Sequence, residues 1–461
     1  MSDHVILKSI ANGNQLKGYQ KEIQELLART QKTIVILDDD PTGTQTVRDI
    51  PVVTQWTETV LEKELARSPV FFILTNSRSL QVKEAENLAF RLGKRLQKIA
   101  AKHQKQLLVI SRGDSTLRGH YPGEVLSLAE GLGQPDAKHV LIPAFFEGGR
   151  YTYQDVHYVQ EGDRFVPAGE TSFAKDSTFG YTASNLKKYI VEKYENNIEE
   201  LQIQAISLDD VRNAPAAQIT AQVKEGTHSH ILVNATAQAD LEKFALATLR
   251  SKKPLMYRTA ASFVNAIIGQ RPSPLLTKKD LVKENITHGA LVIVGSYVPK
   301  TTAQLNYLKK QYKAQYVELD VQQLFEDDTL ENTLNALATK LDNQLRNGMN
   351  VVLYTSRKLK KGNSKEESLK IVNLVSNALT TIASLVQVRP KFILAKGGIT
   401  SSDIAVKSLG ISRAMVLGQV HKGVPVWQAD EHSRFPSLPY IVFPGNVGDD
   451  SALLTVLKLM E

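Results

Sequence analysis

The pattern that most limits the fold is local and repeated. A run of four to six apolar residues ends in a polar turn bearing glycine or aspartate, and an amphipathic helical stretch follows. Candidate strands of the first set are Thr33–Leu37, Val70–Leu74, Leu107–Ile110, His139–Ile142 and His230–Val233. A second set is Leu291–Val294, Val351–Tyr354, Phe392–Leu394 and Tyr440–Phe443. Runs that are apolar on both faces read as buried parallel strands, because a strand with one wet face would alternate. Residues 81–105 put Val82, Ala85, Leu88, Ala89, Leu92, Leu96 and Ile99 on one helical face, with Lys and Arg opposite. Residues 365–386 repeat that spacing, and residues 1–30 read as a helix with Leu16, Ile23, Leu26 and Leu27 as its apolar positions. Alternating strands and helices define the α/β class, with helices covering mostly parallel sheets.

The chain has 461 residues, and at about 150 residues per domain that suggests two to three domains. The clearest break is Gly269-Gln-Arg-Pro272-Ser-Pro274, where proline and glycine punctuate and little needs burial. Division near residue 275 gives two α/β domains, 1–275 and 276–461, each with its own strands. No internal repeat is present. No apolar run approaches the roughly 18 residues that span a bilayer, so no membrane partner is expected. The N-terminus lacks the pattern of a secretory signal. Cysteine is absent, which excludes disulfides, thiolate metal sites and a cysteine nucleophile and is compatible with a cytoplasmic location. The balance of 56 Lys and Arg against 48 Asp and Glu is +8. The basic residues are dispersed, and the densest cluster, Arg357-Lys358-Leu359-Lys360-Lys361, reads as a solvated loop. No nucleic-acid partner is expected, since no basic stripe with interleaved aromatics occurs. A small anionic substrate is the better use of a mild positive excess.

Five turns carry candidate chemistry. After Thr33–Leu37 come Asp38-Asp39-Asp40-Pro41-Thr42-Gly43. Three adjacent carboxylates repel one another unless a cation or a proton relieves them. The turn therefore suits metal binding, or a base that takes a proton from a hydroxyl; a capped turn would use the same residues. After Leu107–Ile110 come Ser111-Arg112-Gly113-Asp114-Ser115-Thr116-Leu117-Arg118-Gly119-His120. Their guanidiniums suit bidentate capture of a carboxylate. In the C-terminal half, Gly295-Ser296 before Thr301 and Thr302, Lys396-Gly397-Gly398-Ile399-Thr400-Ser401 before a helical pattern at Ile404–Leu409, and Pro444-Gly445-Asn446-Val447-Gly448 before an apolar helix 451–460 are each strand, glycine turn, helix. Such turns let backbone approach a phosphate and offer unpaired N–H groups. Together they suggest a nucleotide phosphate cradle. There is no GxxxxGK[ST] segment, no protein-kinase motif set and no HExxH. His120 and His157 read as structural histidines.

Taken together, these motifs resemble those of the four-carbon acid sugar kinase family, whose members include 3-oxo-tetronate, D-threonate and D-erythronate kinases. The resemblance rests on Asp39-Asp40-Pro41-Thr42-Gly43, on Asp114-Ser115-Thr116-Leu117-Arg118-Gly119, and on the Thr-x-Phe-Ala-x-Asp segment ending at Asp176. Further along it rests on Gly295-Ser296, Gly397 to Ser401, Gly423-Val424-Pro425 and Gly445 to Gly448. It spans roughly residues 30–460. It implies an N-terminal acid-sugar domain, a C-terminal nucleotide domain and transfer of a phosphoryl group from ATP, with Mg²⁺, in an interdomain cleft. Asp40 and Asp114 are then the catalytic candidates. Asp39, Thr42, Gly43, Arg112, Ser115 and Arg118 are expected to bind the acid sugar, its carboxylate on Arg112 or Arg118. Ser296, Gly397, Gly398, Ile399, Thr400, Gly445 and Gly448 are expected to bind ATP, and no metal ligand is assigned. The family's usual GGET motif has an acidic residue where this chain has Ile399. Substrate stereochemistry and oligomeric state, including a homo-oligomer, are left open. Two rival readings use the same residues. One is a haloacid-dehalogenase-type phosphatase with Asp38 and Asp40 as its DxDxT pair, although its lysine and acidic partners, Lys396 and Asp449-Asp450, would lie about 350 residues further on. The other is a non-catalytic nucleotide or acid-sugar sensor.

Overall fold

A computed structural model describes residues 3–271, 273–281, 286–325, 330–357 and 365–461. Of the basic cluster at 357–361, all but Arg357 lies outside these residues. The chain forms two compact units, Met1–Val47 with Gln55–Pro272, and Arg48–Thr54 with Ser273–Glu461. Both are mixed α/β built on mostly parallel strands. No helix among the described residues is long and apolar enough to cross a membrane.

In the first unit the strand order is Val70–Leu74, Thr33–Asp38, Leu107–Arg112, Leu255–Thr259, Lys138–Ile142, His230–Val233, Ile203–Ile206, and neighbours run parallel throughout. Thr33–Asp38 is buried at every position, as its unbroken apolar run requires. The chain leaves this strand for Val70–Leu74 on one side and returns to Leu107–Arg112 on the other. That reversal of direction opens a crevice outside the carboxyl ends of the two strands, where open α/β sheets hold ligands. The aspartate turn and the Arg112 turn both start there. A small antiparallel sheet, Arg150–Tyr153, Val156–Glu161 and Arg164–Pro167, stands beside the main one.

The second unit repeats the arrangement. Gln315–Leu319, Val351–Thr355, Leu291–Val294, Ile393–Lys396 and Pro439–Phe443 run parallel in that order. Here the reversal falls between Leu291–Val294 and Ile393–Lys396, whose ends carry Gly295-Ser296 and Gly397-Gly398. The sheet continues antiparallel through Val424–Ala429 and Arg413–His421. Its last strand, Ile50–Val53, is drawn from the N-terminal half and pairs with Arg413–Val416. A single cut near residue 275 does not anticipate that exchange, because a four-residue strand gives no periodic signal of its membership.

The helix at Val82–Lys102 buries Ala85, Leu88, Ala89, Leu92, Leu96 and Ile99 as its spacing predicts, but Val82 stays exposed at the first turn. It packs on Gly123–Gly131 at backbone distance. A Cβ on Gly131 would lie 2.3 Å from the Phe90 carbonyl oxygen, and one on Gly93 would lie 2.8 Å from that of Leu128. The N-terminal segment is two helices, Asp3–Asn14 and Gln20–Thr30, rather than one; Ile23 is buried while Leu16 lies exposed in the break. Gly131→Ala is expected to lower stability by about 1–3 kcal/mol through overpacking, whereas Val82→Ala should stay within about 0.5 kcal/mol. Urea unfolding of the two variants measures the contrast.

Candidate functional site

The three consecutive carboxylates at the end of Thr33–Asp38 meet three guanidiniums from three other segments. Asp38 pairs in register with Arg112 across the parallel ladder, and Arg112 Nη1 donates to its Oδ1 at 3.1 Å, with the side chains 3% and 1% exposed. Asp39, 2% exposed, is held on both oxygens. Arg78 Nη2 donates to Oδ1 at 2.7 Å, and Arg258 Nη2 lies 3.4 Å from Oδ2. Asp40 is the open member at 19% exposure, with Arg78 Nη1 3.6 Å from its Oδ2. Its Oδ1 accepts the Thr42 N–H at 2.8 Å and so caps the short helical turn Pro41–Thr46.

Glycines make room for this network. A Cβ on Gly43 would lie 1.8 Å from Asp38 Oδ2. The Arg258 guanidinium passes between Gly113 and Gly119, whose added Cβ atoms would lie 2.2 and 2.5 Å from its Nη2, and Gly119 has φ +134°. Arg258 Nη1 also donates to Ser111 Oγ at 2.9 Å.

Asp114 is on the second turn. Its Oδ2 accepts from Arg118 Nε at 2.7 Å and from the Thr116 hydroxyl. The remaining edge of Arg118 faces Asp176, 3.7 Å from Nη1, and its guanidinium sits 5.1 Å from the Phe173 ring centroid. The Thr-x-Phe-Ala-x-Asp segment thus borders the second turn. Backbone of that turn is tied down from below. The Tyr181 and Tyr189 hydroxyls donate to the Thr116 and Leu117 carbonyls at 2.8 Å each, and buried His157 bridges the Ser115 carbonyl at 2.8 Å and the Thr152 hydroxyl at 3.1 Å. Burial pushes His157 down to about 4, so it is neutral near pH 7 and its role is structural.

The carboxyls separate by environment. Burial pushes Asp38 up to about 7, against the pull of Arg112 and with repulsion from Asp39 and Asp40. Burial also opposes ionisation of Asp39, yet Arg78 and Arg258 outweigh it and hold the group below the ordinary carboxylate value. The same opposition is overcome at Asp114 by Arg78 and Arg118, which hold it well below that value. Asp114 is therefore a fixed anion rather than a ready proton acceptor. Of the expected sugar ligands, Asp39 is enclosed between Arg78 and Arg258, Arg112 is enclosed and bonded to Asp38, and Ser115 is buried with its carbonyl on His157. Thr42, Arg118 and Asp40 keep partial exposure. Arg78 and Arg258 were not expected. Arg258 could have been found as the charge that directly follows the apolar run Leu255–Tyr257; Arg78 sits in a Ser-Arg-Ser turn that looks like ordinary loop.

In the second unit, Gly295, Ser296, Gly397, Thr400 and Gly445 converge. Added Cβ atoms on Gly397 and Gly445 would lie 2.9 Å from Ser296 Cβ and 3.0 Å from Ser296 Oγ, and one on Gly295 would lie 2.2 Å from Thr400 Oγ1. Gly397 has φ +119°, which a side chain would strain. The Thr301 hydroxyl donates to the Gly445 carbonyl at 3.0 Å, and Arg357 donates to the Ser296 carbonyl at 2.7 Å. Among the described residues the N–H groups of Gly398, Ile399, Thr400, Gly445 and Asn446 have no acceptor. Such a cluster of backbone donors suits phosphate oxygens. Gly448 lies apart, against Ala452, Gln304 and His421. Ile399 is exposed at 43% and offers the site only its N–H. Among the described residues no three His, Asp or Glu converge as a metal site.

Residues 34–267 match the family described as sugar-binding N-terminal domain, and residues 291–453 match the nucleotide-binding C-terminal domain. The first match alone spans more than half of the chain, and the chain belongs to the four-carbon acid sugar kinase family. Among solved structures it is similar to a Haemophilus influenzae protein of the DUF1537 family, at 17% identity and TM-score 0.63 over 93% of this chain and 100% of that one. It is also similar to a Salmonella typhimurium protein provisionally described as a tRNA synthase, at 18% identity and TM-score 0.66 over 92% and 98%. At these identities the likeness concerns fold. No curated protein matches the chain.

Removing one guanidinium from Asp39 leaves a buried charge half-compensated. Arg258→Met is expected to lose about 3–5 kcal/mol of unfolding free energy, against about 1 kcal/mol for Ser111→Ala, both read from urea unfolding. Asp38 gives a pH signature. Unfolded, its carboxyl loses its proton near 3.8, and folded near 7. Its contribution to stability is fully present below the lower value and is lost as pH rises through the higher one. Stability of Asp38→Asn between pH 4 and pH 7 is expected to lack this decline.

Proposed function

We propose that the chain transfers the terminal phosphoryl group of ATP to a hydroxyl of a four-carbon acid sugar, a tetronate or 3-oxo-tetronate. The observation that carries this reading is the pairing, within one chain, of two ligand crevices of opposite character. One is lined by Asp40, Arg118 and Thr42 in the sugar-binding family region. The other is lined by unpaired backbone N–H groups in the nucleotide-binding family region.

The residues divide the work as follows. Arg118, with Nε committed to Asp114, Nη1 facing Asp176 at 3.7 Å and an aromatic ring beside it, is oriented to take the substrate carboxylate on Nη2. Asp114 fixes that orientation. Asp40 is the most exposed of the three acids and its one ion-pair contact, to Arg78 Nη1, is long at 3.6 Å, so it is the better candidate for accepting the hydroxyl proton. The N–H groups of Gly398 to Thr400 and of Gly445 and Asn446 bind phosphate oxygens, and the glycines keep side chains out of their way. Phosphoryl transfer asks the protein mainly for positioning and for stabilisation of spread negative charge, and these groups supply both. Mg²⁺, when bound with the nucleotide, would supply charge neutralisation of the phosphates; no three His, Asp or Glu converge to hold it among the described residues, and no step is assigned through it.

The phosphatase alternative would require Asp38 as nucleophile. Its carboxylate is 1% exposed, bonded to Arg112 and roofed by Gly43, which argues against attack on any substrate.

A coupled assay of ADP release over a panel of tetronates and 3-oxo-tetronates tests the proposal. Acid-sugar-dependent ADP formation is expected. Asp40→Asn should lower kcat by about 10²–10⁴ as loss of a general base does, and Arg118→Ala should act chiefly on KM for the acid sugar. Nucleotide binding without turnover across the panel would favour the sensor reading. Phosphate release from sugar phosphates without ATP would favour the phosphatase.

A further inference from the structure

Lys396 ends the strand Ile393–Lys396, one residue before the Gly397-Gly398 turn, and its side chain is completely buried. A lysine in that position needs an anion or a full set of acceptors. Its Nζ donates to the Pro444 carbonyl at 2.7 Å and lies 3.4 Å from the Gly445 carbonyl, over the Phe443 ring at 3.9 Å from the centroid. Among the described residues no carboxylate lies within ion-pair distance of it. The charged groups of the surrounding elements are otherwise engaged or of the same sign. Lys300, at the start of the helix Pro299–Gln311, is a cation. Asp403 pairs with Lys407 at 3.1 Å, Asp449 accepts from Ser451, and Arg357 holds the Ser296 carbonyl. Burial, with repulsion from Lys300, pushes Lys396 down to about 7.

The two carbonyls that Lys396 gathers belong to trans peptides, in which C=O and N–H point in opposite directions. Pulling the Pro444 and Gly445 carbonyls toward Nζ turns the N–H groups of Gly445 and Asn446 the other way. Those are the two donors of this turn that have no acceptor.

We propose that Lys396 is the positioning residue of the phosphate-binding turn: it aims the Gly445 and Asn446 N–H groups at the nucleotide, and it takes up one proton from solvent when the phosphates arrive to balance its charge. This rests on the nucleotide reading above. The lysine does not touch the phosphates; it acts through the turn and through its field. The proton binds the Nζ lone pair, and no other bond changes.

The test titrates the full chain with MgATP by calorimetry at pH 8, in two buffers of different ionisation heat, and repeats the binding measurement at pH 9. Above pH 8 the phosphates no longer titrate, since their last ionisation lies near 6 (about 6 for a phosphate monoester). Wild type is expected to take up close to one proton at pH 8. Its Kd should rise by up to about tenfold from pH 8 to pH 9, the limit for one linked proton. Lys396→Met should bind more weakly at pH 8, take up no proton and show no step to pH 9. Lys396→Arg keeps its charge throughout and should bind without uptake. MgATP binding by wild type without proton uptake would overturn the inference and leave the nucleotide reading standing, whether or not Lys396→Met folds. The same pH step in Lys396→Met would also overturn it. Absence of MgATP binding at every pH would overturn the nucleotide reading itself and this inference with it.

Discussion

Three carboxylates in sequence at one strand end are tolerable only because three guanidiniums reach them from elsewhere in the fold. Arg112 comes from the neighbouring strand in register, Arg78 from the turn after the next strand, and Arg258 from the strand on the far side of Arg112. The arrangement fixes the crevice floor. Two acids are consumed in holding arginines, and what remains at the surface is Asp40 above and Arg118 beside. Buried ion pairs of this kind add little net stability compared with apolar packing, yet losing one partner is severe. Their use here is geometric: they hold two turns in one relation so that the exposed groups have fixed positions.

The glycines in this region serve the ions rather than the turns alone. Gly43 lies on the Asp38 carboxylate, and Gly113 and Gly119 flank the Arg258 guanidinium. A motif such as Asp-Pro-Thr-Gly looks like a turn signature in one dimension. In three dimensions the glycine is the absence of a side chain over a buried charge.

The second unit solves the opposite problem. Its crevice presents a set of backbone donors, with three glycine turns in contact and one buried lysine behind them. Small residues let Ser296, Thr400 and Gly445 meet. The substitution of Ile399 for an acidic residue leaves that backbone array intact, since the array uses N–H groups and not side chains.

Much was legible before the fold was seen. Continuous apolar runs identified the buried parallel strands, and the polar glycine-bearing turns at their ends were visible as well, because alternation and turn chemistry are local properties of the chain. The strands with alternating or interrupted patterns, Arg413–His421, Gln315–Leu319 and Leu255–Thr259, escaped notice for the same reason. Which carboxylates are enclosed and which are open could not be read locally. Asp38, Asp39 and Asp40 are chemically identical neighbours; their burial, partners and proton affinities differ because Arg78, Arg112 and Arg258 approach from up to 219 positions away in sequence. Sequence by itself determined the α/β class and which buried strands end in polar, glycine-bearing turns. Only the tertiary structure decided the assignment of Ile50–Val53 to the second unit and the division of the acids into anchors and exposed groups, since pairing register and desolvation arise only when distant segments meet.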